Sequence, residues 1–228
     1  PVKITAENYY RYGLSPSEWA KYEGYYAITD AGNLFWFAKH VNEGNTGANA
    51  LLAKDIKMFD DGMGHFQGWQ PIGTSENKYI GTFDGRGNKI DGLHYGKNEA
   101  GSEHGLFGCV GEGGTVKNVV LENALFTVNG PASNMGGIAG ENFGTIENCT
   151  FGGNLTVNGR KSYVGGIAGY NEGDITLCAN NGVITIDGSN SDIGGIVGHN
   201  FHGSIKNCYN LGNIAAGGST YVSIGGIV

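Results

Sequence analysis

Residues 135–144 read MGGIAGENFG, residues 164–173 read VGGIAGYNEG and residues 193–202 read IGGIVGHNFH. A further copy, IGGIV, starts at Ile224. The copies therefore recur about every 30 residues. A repeat of this length is typical of solenoid architectures, in which one short supersecondary unit stacks on the next.

Each copy contains three short strand-like runs separated by Gly and Asn, for example GGIAG, TIENCTF and NLTV, and no amphipathic helical stretch. One such coil cannot bury its apolar face alone, so the copies must stack and share backbone hydrogen bonds with the coils on either side. An earlier, divergent copy contains GTVKNV at residues 114–119, which aligns with GTIENC at residues 144–149. We therefore expect the repeats to begin near His104.

Stacking places equivalent residues of successive copies side by side, which predicts columns of like residues. The predicted columns are Val119, Cys149, Cys178 and Cys208; Ile138, Ile167 and Ile196; Asn142, Asn171 and Asn200; and Asn118, Asn148 and Asn207, with Leu177 in place of one Asn. Asparagine tolerates the left-handed conformation and bonds its own backbone, so both Asn columns are predicted at turns.

The cysteine column predicts buried, free thiols. Val119 occupies the same column, which indicates a position for a small apolar side chain. Adjacent strands are only about 4.8 Å apart, so a disulfide within the column stays open as an alternative.

Composition restricts the class of protein. The 228 residues are 39% hydrophobic, with 43 Gly and 4 Pro, which suits a folded chain with many turns. The net charge of −7 argues against a nucleic-acid partner, because such binding depends on neutralising phosphates. No apolar stretch is long enough to span a bilayer, so we expect no direct membrane insertion. The chain starts at Pro1 and stops inside a repeat, which suggests a piece of a longer protein.

The N-terminal third differs from the repeats. Residues 1–24 are polar and aromatic and are interpreted as a cap or the tail of a preceding domain. Residues 30–42 place Leu34, Phe37, Ala38 and Val41 at helical spacing behind a capping Asp, which predicts one α-helix in a module spanning residues 25–103. Within this module we predict strands at residues 50–56 and 69–72, and a strand, a Gly-rich turn and a second strand over residues 80–93. The repeats then occupy residues 104–228.

The acidic residues do not form a catalytic column. Glu141 is followed in its column by Tyr170 and His199, and Glu147 by Thr176 and Lys206. A glycosidase needs two carboxyl groups roughly 5 to 10 Å apart, and no column supplies that pair. We predict no catalytic residue in this chain.

Two further patterns were considered as metal sites. Asp84–Asn88 with Asp91 weakly resembles a calcium loop, but the ligand order and the closing Glu of an EF-hand are missing, so a turn between strands is preferred. His199 and His202 lack a third ligand and are interpreted as exposed loop histidines. We predict neither a metal nor a cofactor.

Four tyrosines are the candidate ligand-contacting residues. Tyr163 and Tyr221 are predicted in the variable loops that end successive repeats, and Tyr170 and Tyr209 are expected near them. Such rings could offer aromatic surface to a sugar or a protein, and the alternative is that some of them cover the core.

A family resemblance extends these inferences. LFWFAKHVNEG, LLAKDIKM, WQPIG and YIGTFDGRGNKIDGL, within residues 26–93, resemble the opening module that precedes GLUG-type repeats in bacterial surface proteins, including some immunoglobulin-A protease-like chains. The string GGIAGxNxGxIxNC resembles the GLUG motif itself. The resemblance implies a right-handed parallel β-helix on or outside the cell. It does not imply peptidase activity, because that activity requires an HExxH segment and none occurs here.

Taken together, the sequence predicts an all-β, right-handed parallel β-helix of about five coils with an N-terminal cap. We expect a non-catalytic, monomeric, adhesin-like or scaffolding module of an extracellular or cell-surface protein. Its expected partner is a host or environmental glycan or glycoprotein, or another surface protein. The alternative is the substrate-positioning part of a larger secreted peptidase or polysaccharide-degrading enzyme.

Overall fold

The structure, a computed structural model, describes residues 1–58, 68–97, 103–217 and 221–228. Its helices are a 3-10 turn at Tyr9–Tyr12, α1 at Pro16–Tyr22 and α2 at Ala31–Asn42. Before the regular repeats the strands are β1 (Val2–Lys3), β2 (Tyr26–Ile28), β3 (Ala50–Leu52), β4 (Ile56–Lys57), β5 (Thr82–Asp84), β6 (Lys89–Asp91), β7 (His94–Lys97) and β8 (Glu103–His104).

The remaining strands follow in chain order. They are β9 (Phe107–Val110), β10 (Thr115–Lys117), β11 (Val120–Val128), β12 (Asn134–Gly136), β13 (Ala139–Asn142), β14 (Thr145–Glu147), β15 (Thr150–Val157), β16 (Tyr163–Gly165), β17 (Ala168–Asn171), β18 (Asp174–Thr176), β19 (Ala179–Asn180), β20 (Val183–Ile186), β21 (Ser191–Gly194), β22 (Val197–Asn200), β23 (Ser204–Lys206), β24 (Tyr209–Asn210), β25 (Ile214–Ala216) and β26 (Val222–Gly225).

Successive coils stack as a parallel β-solenoid of about five turns. Sheet A has the order β1-β2-β3-β5-β10-β14-β18-β23, and sheet B contains β24-β19-β15-β11-β6-β4 with β7, β20 and β25 attached. Sheet C has the order β22-β17-β13-β9, and sheet D has the order β26-β21-β16-β12-β8. Among the described strand pairs, all are parallel except β1 with β2. The predicted solenoid is confirmed.

Each repeat contains four strand directions rather than the three runs predicted from sequence. In the first repeat, GGIAG is divided between β12 and β13 by a glycine corner. The run TIENCTF is broken at Asn148, whose φ is +51°. A left-handed residue turns the chain, so β14 ends there and the next strand continues into NLTV as β15.

The predicted register is confirmed. Thr115 pairs with Thr145, and Val116 pairs with Ile146. In the cysteine column, the backbone N–H groups of Cys149 and Cys178 each donate to the sulfur of the next cysteine at 3.4 Å. The four thiols of the chain are free, and three of them are fully buried. The preference for free thiols over a disulfide is confirmed.

The outer asparagine column forms the predicted left-handed turn. Asn118, Asn148 and Asn207 have φ of +55°, +51° and +53°, and Leu177 adopts +56° at the same place in its coil. The Asn148 side-chain amide donates to Asn118 Oδ1 at 2.8 Å, and the Asn118 amide donates to Asp84 Oδ1 at 2.9 Å. This ladder therefore ends on a carboxylate.

The inner asparagine column bonds its own backbone as predicted but does not adopt the left-handed conformation. Asn142, Asn171 and Asn200 end strands of sheet C, and none of the three has a positive φ. Their amides form a ladder inside the coils, with Nδ2-to-Oδ1 distances of 2.7 Å at both steps. Asn142 and Asn171 are fully buried, so the ladder satisfies polar groups in the core, and bonds to the backbone of Gly144 and Gly173 complete it.

The cap contains two α-helices, not the single one predicted. The predicted helix is α2, where Asp30 accepts a hydrogen bond from the backbone of Asn33 at 2.8 Å. The additional helix, α1, starts at a capping box in which Ser15 and Glu18 bond reciprocally. That signal was present in the sequence as Ser15-Pro16-Ser17-Glu18.

The first coils are more irregular than predicted. Instead of a strand at residues 69–72, only Ile72 makes a single bridge, to Phe107, while Trp69 is buried and donates from Nε1 to the carbonyl of Gly105 at 3.1 Å. The strand, turn and strand predicted at residues 80–93 are confirmed as β5 and β6. Residues 50–56 are divided between β3 and the start of β4.

Asp84 links the cap to the solenoid. Its buried carboxylate accepts from Tyr22 of α1 at 3.4 Å and lies 3.8 Å from Lys117 Nζ. One continuous core extends from α2 to the last described repeats, and a smaller cluster lies between α1 and sheet A. The cap is thus packed on the first coil.

Candidate binding face of the solenoid

The double glycine of each repeat forms the corner where sheet D meets sheet C. A Cβ on Gly165 would overlap the carbonyl oxygen of Ala168, and one on Gly136 would overlap that of Ala139. Only glycine allows the chain to fold back this closely. As a result, the outward side chain two residues before the first corner glycine lies beside the outward side chain five residues after that glycine. In the second coil these two side chains are Tyr163 and Tyr170, and the glycine is Gly165.

Three successive coils repeat this pairing. The Asn134 amide donates to Glu141 Oε1 at 2.7 Å in the first coil. The rings of Tyr163 and Tyr170 are 6.2 Å apart in the second coil. Asp192 Oδ2 lies 3.6 Å from His199 Nδ1 in the third coil. Two outward columns therefore run side by side along the solenoid.

We call this surface the aromatic–acidic face. It consists of the column Glu103, Asn134, Tyr163 and Asp192 on sheet D, the column Glu141, Tyr170 and His199 on sheet C, and the adjoining Phe143, Glu172 and Phe201. The column of Glu141, Tyr170 and His199 was predicted from the repeat register and is confirmed.

The rings of the face stack on one another. The Tyr163 and His199 centroids are 4.5 Å apart with an interplanar angle of 20°, and Tyr170 stacks on His199 at 5.7 Å. Phe201 continues the stack from Tyr170 at 6.5 Å and is 47% exposed. Ring-on-ring packing holds these side chains in one orientation.

Carboxylates surround the rings. The Tyr170 hydroxyl donates to Glu172 Oε1, and partial burial together with this bond raises the pKa of Tyr170 to about 12. The phenol therefore stays protonated at neutral pH. Burial raises the pKa of Glu103, and Glu141 adds to the effect. A cation also lies beside the rings: Lys78 Nζ is 3.8 Å from the Phe143 ring centroid.

A buried thiol lies at the start of the sheet C column. Cys109 pairs with Glu141 in register, and its sulfur lies 3.8 Å from Glu141 Oε2. Burial and the nearby carboxylate raise the pKa of Cys109 to about 12. The thiol is thus uncharged at neutral pH and lacks the thiolate character of a nucleophile.

The structure brings together two of the four predicted tyrosines. Tyr163 lies in strand β16, not in the predicted loop, and contacts Tyr170. Tyr209 lies on sheet B, away from this pair, and is 52% exposed. Tyr221 precedes β26 with a φ of +58° and is 86% exposed.

Sequence reasoning missed Asn134 and Asp192. Their signal was positional: each occupies the place of Tyr163, immediately before the apolar residue and the double glycine that start a copy. Recognising it required knowing that the double glycine forms a corner.

The two metal patterns have other structural uses. Asp84 and Asp91 accept hydrogen bonds from Asn118 and Asn123, at 2.9 and 2.7 Å. His199 lies in strand β22 rather than in a loop. Within the described ranges, no group of three or more His, Cys, Asp or Glu side chains could hold a metal ion. In the same ranges, no helix has the length and apolar character needed to cross a bilayer.

The fold and this face define a parallel β-solenoid with a two-column aromatic and acidic surface. The model of the GLUG motif family matches residues 131–158 and 189–215, which correspond to two of the coils described above. The chain thus contains GLUG-type repeats in these two segments.

Curated relatives share part of the chain. It is 38% identical over 81 residues to a protein of Evansella cellulosilytica that is provisionally named a Gly-rich membrane protein. It is 33% identical over 89 residues to Halomucin of Haloquadratum walsbyi. The matched segments are 36% and 39% of this chain, but only 9% and 1% of those proteins.

A solved structure covers most of the chain. It is a Bacteroides ovatus protein, provisionally named an immunoglobulin A1 protease, that aligns with 88% of this chain over 84% of its own length. The TM-score is 0.44 and the sequence identity 18%.

Proposed function

We propose that this chain is a non-catalytic binding module of an extracellular or cell-surface protein, and that its aromatic–acidic face contacts neutral carbohydrate of a host or environmental glycan or glycoprotein. The observation that carries the proposal is the pairing of Tyr163 with Tyr170 in two parallel columns flanked by hydrogen-bonding carboxylates and amides. Pyranose rings bind through contact of their apolar faces with aromatic side chains and through directed hydrogen bonds of their hydroxyl groups.

The charge of the face favours a neutral ligand. Glu103, Glu141 and Asp192 lie in the two columns and Glu172 adjoins them, within a chain of net charge −7. An anionic sugar placed among these carboxylates would meet like-charge repulsion. Neutral hydroxyl groups can instead donate to the same oxygens.

The repeat geometry suits a chain-like ligand. Equivalent positions of successive coils are about 4.8 Å apart, so the columns present contacts at a regular spacing along the solenoid. The stacked rings and the hydrogen-bonded amides are held in place before a ligand binds. One example is the hydrogen bond of 2.7 Å from the Asn134 amide to Glu141 Oε1. Preorganisation of this kind reduces the cost of ordering side chains on binding.

The relatives support a location outside the cytoplasm. The Evansella cellulosilytica protein is named a membrane protein, and the Haloquadratum walsbyi protein is named Halomucin. The long parts of those proteins beyond the matched segment leave room for anchors and further domains, so the activity and partners of a whole protein are not assigned from this chain.

The test is a glycan array followed by titration calorimetry with the best neutral ligand. Tyr163→Ala and Tyr170→Ala are expected to weaken binding at least tenfold, because each removes a ring of the face. Tyr209→Ala is the matched control, since that ring is exposed on sheet B and should leave affinity unchanged. Thermal melts identify any variant that loses its fold. Equal affinity for all three variants, or no neutral ligand on the array, would refute the proposal.

A further inference from the structure

A polar cavity lies in the cap, outside the aromatic–acidic face. It has a volume of about 400 Å³, which is in the range of small-molecule sites. Its lining comes from β1, the turn before β2, the end of α2 and the following loop: Lys3, Gly24, Tyr26, His40 and residues 44–49.

One wall of this cap cavity is aromatic: the rings of Tyr26 and His40 line it, and Trp36 supports them from outside the lining. Trp36 and His40 are one turn apart on α2, and their rings stack with centroids 4.5 Å apart and an interplanar angle of 16°. Tyr26 packs against both, at 5.3 Å from Trp36 and 5.5 Å from His40.

The loop on the other side is held by hydrogen bonds. Asn45 donates to the carbonyl of His40 at 3.1 Å and lies 3.3 Å from His40 Nδ1. The backbone of Thr46 accepts from Ile80 at 3.0 Å, and the Asn49 side chain accepts from the backbone of Thr82 at 2.8 Å. The Asn45 and Asn49 side chains and the Thr46 backbone of this loop are therefore fixed before binding.

The charge of the cap cavity is opposite to that of the chain. Its ionisable lining groups are Lys3, His40 and Tyr26, and no carboxylate is among the lining residues described. Lys3 Nζ lies 4.9 Å from the centroid of the Tyr26 ring, at the aromatic wall. The Lys3 ammonium group therefore favours binding of an anion in the cap cavity, although the net charge of −7 repels anions from the protein as a whole.

We propose that the cap cavity binds an acidic sugar, a pyranose that carries a carboxylate. The sugar ring packs on the aromatic wall of Tyr26 and His40, its carboxylate pairs with Lys3, and its hydroxyl groups bond to the polar loop of residues 45–49. This site is independent of the proposed neutral-glycan face, because the two share no lining residue and have opposite charge.

The experiment compares two matched ligands by calorimetry. One is a tetrasaccharide of alternating glucuronic acid and N-acetylglucosamine, and the other is the same tetrasaccharide with its carboxyl groups reduced to alcohols. The native chain is expected to bind the acidic form at least tenfold more tightly. Lys3→Gln should remove most of this preference, while Lys57→Gln, which changes an exposed lysine on β4, should retain it.

The aromatic wall has its own test. His40→Ala is expected to weaken binding of the acidic tetrasaccharide at least tenfold, because it removes a lining ring. Lys3→Gln keeps the experiment informative if that variant unfolds. Inorganic phosphate, which carries charge without a ring, should bind at least tenfold more weakly than the acidic sugar. Phosphate binding of equal strength, equal affinity for the two tetrasaccharides, or no binding by the native chain would overturn the proposal. Tyr170→Ala should leave this site intact, so failure of either proposal can be recognised separately.

Discussion

Leu177 occupies a backbone conformation that suits asparagine. Its φ is +56°, and Asn148 and Asn207 adopt +51° and +53° at the same place in the neighbouring coils. A left-handed conformation costs a residue with a Cβ roughly 1–2 kcal/mol, and asparagine is the non-glycine residue that best tolerates it. We therefore expect asparagine at position 177 to relieve most of this cost.

The net gain in stability from Leu177→Asn is smaller than this cost, because the substitution also removes apolar contacts of the Leu177 side chain. Leu177 is 52% exposed, so replacing it gives up about 1 kcal/mol of apolar burial. Comparison with alanine removes this contribution, because alanine loses the same burial but keeps the left-handed strain. Leu177→Asn is expected to be about 1 kcal/mol more stable than Leu177→Ala and to be at least as stable as the native chain.

The measurement is the melting temperature by calorimetry or circular dichroism. For a chain of this size, 1 kcal/mol corresponds to about 2–4 °C, so Leu177→Asn should melt about 2–4 °C above Leu177→Ala. Thr176, the preceding residue in β18, provides the control because its φ is not positive. There asparagine should be no better than alanine. Equal melting temperatures for the two Leu177 variants would refute the reasoning.

Three further expectations concern stability and reactivity. Asn171→Leu should destabilise the chain by about 3 kcal/mol, because it removes the central amide of the buried ladder and leaves its neighbours unpaired, as urea unfolding can measure. Gly165→Ala should lower the free energy of unfolding by about 3 kcal/mol, because the added Cβ overlaps the backbone. Gly96→Ala, where a Cβ meets open space, should change it by no more than about 0.5 kcal/mol. Similar losses for the two variants would contradict the role of Gly165 at the corner. Burial raises the pKa of Cys109 to about 12, and bonding to Cys149 with burial raises that of Cys178 to about 12, so neither should react with Ellman's reagent at pH 8 until urea is added; rapid native labelling would contradict this.

Much of the solenoid could be predicted because stacking converts sequence spacing into spatial register. Once the repeat length is known, equivalent residues must lie in adjacent strands, and the pairing of Val116 with Ile146 follows from alignment alone. The irregular first coils lack this constraint. Trp69 illustrates the difference: residues 69–72 are predicted as a strand, but a hydrogen bond from the Trp69 ring to the carbonyl of Gly105 serves in place of sheet pairing.

The candidate binding surface could be predicted only in part. The column of Glu141, Tyr170 and His199 follows from the repeat, since its members are one copy apart. The contact between Tyr163 and Tyr170 does not, because a spacing of seven residues has no fixed meaning in strands and depends on how the intervening chain turns. The cap cavity could not be predicted from the sequence, because its lining residues come from separate parts of the chain: β1, α2 and a loop.

By itself the sequence determined the repeat, the parallel stacking and the columns of like residues, because a periodic chain of coils has one way to satisfy its backbone hydrogen bonds and bury its apolar side chains. Only the tertiary structure decided which columns lie next to each other. That depends on the corner at Gly165, where the absence of a Cβ lets two strands approach and brings Tyr163 to Tyr170. It also depends on the packing of α2 against β2, which brings His40 beside Tyr26. These contacts depend on angles between elements, which local sequence patterns do not specify.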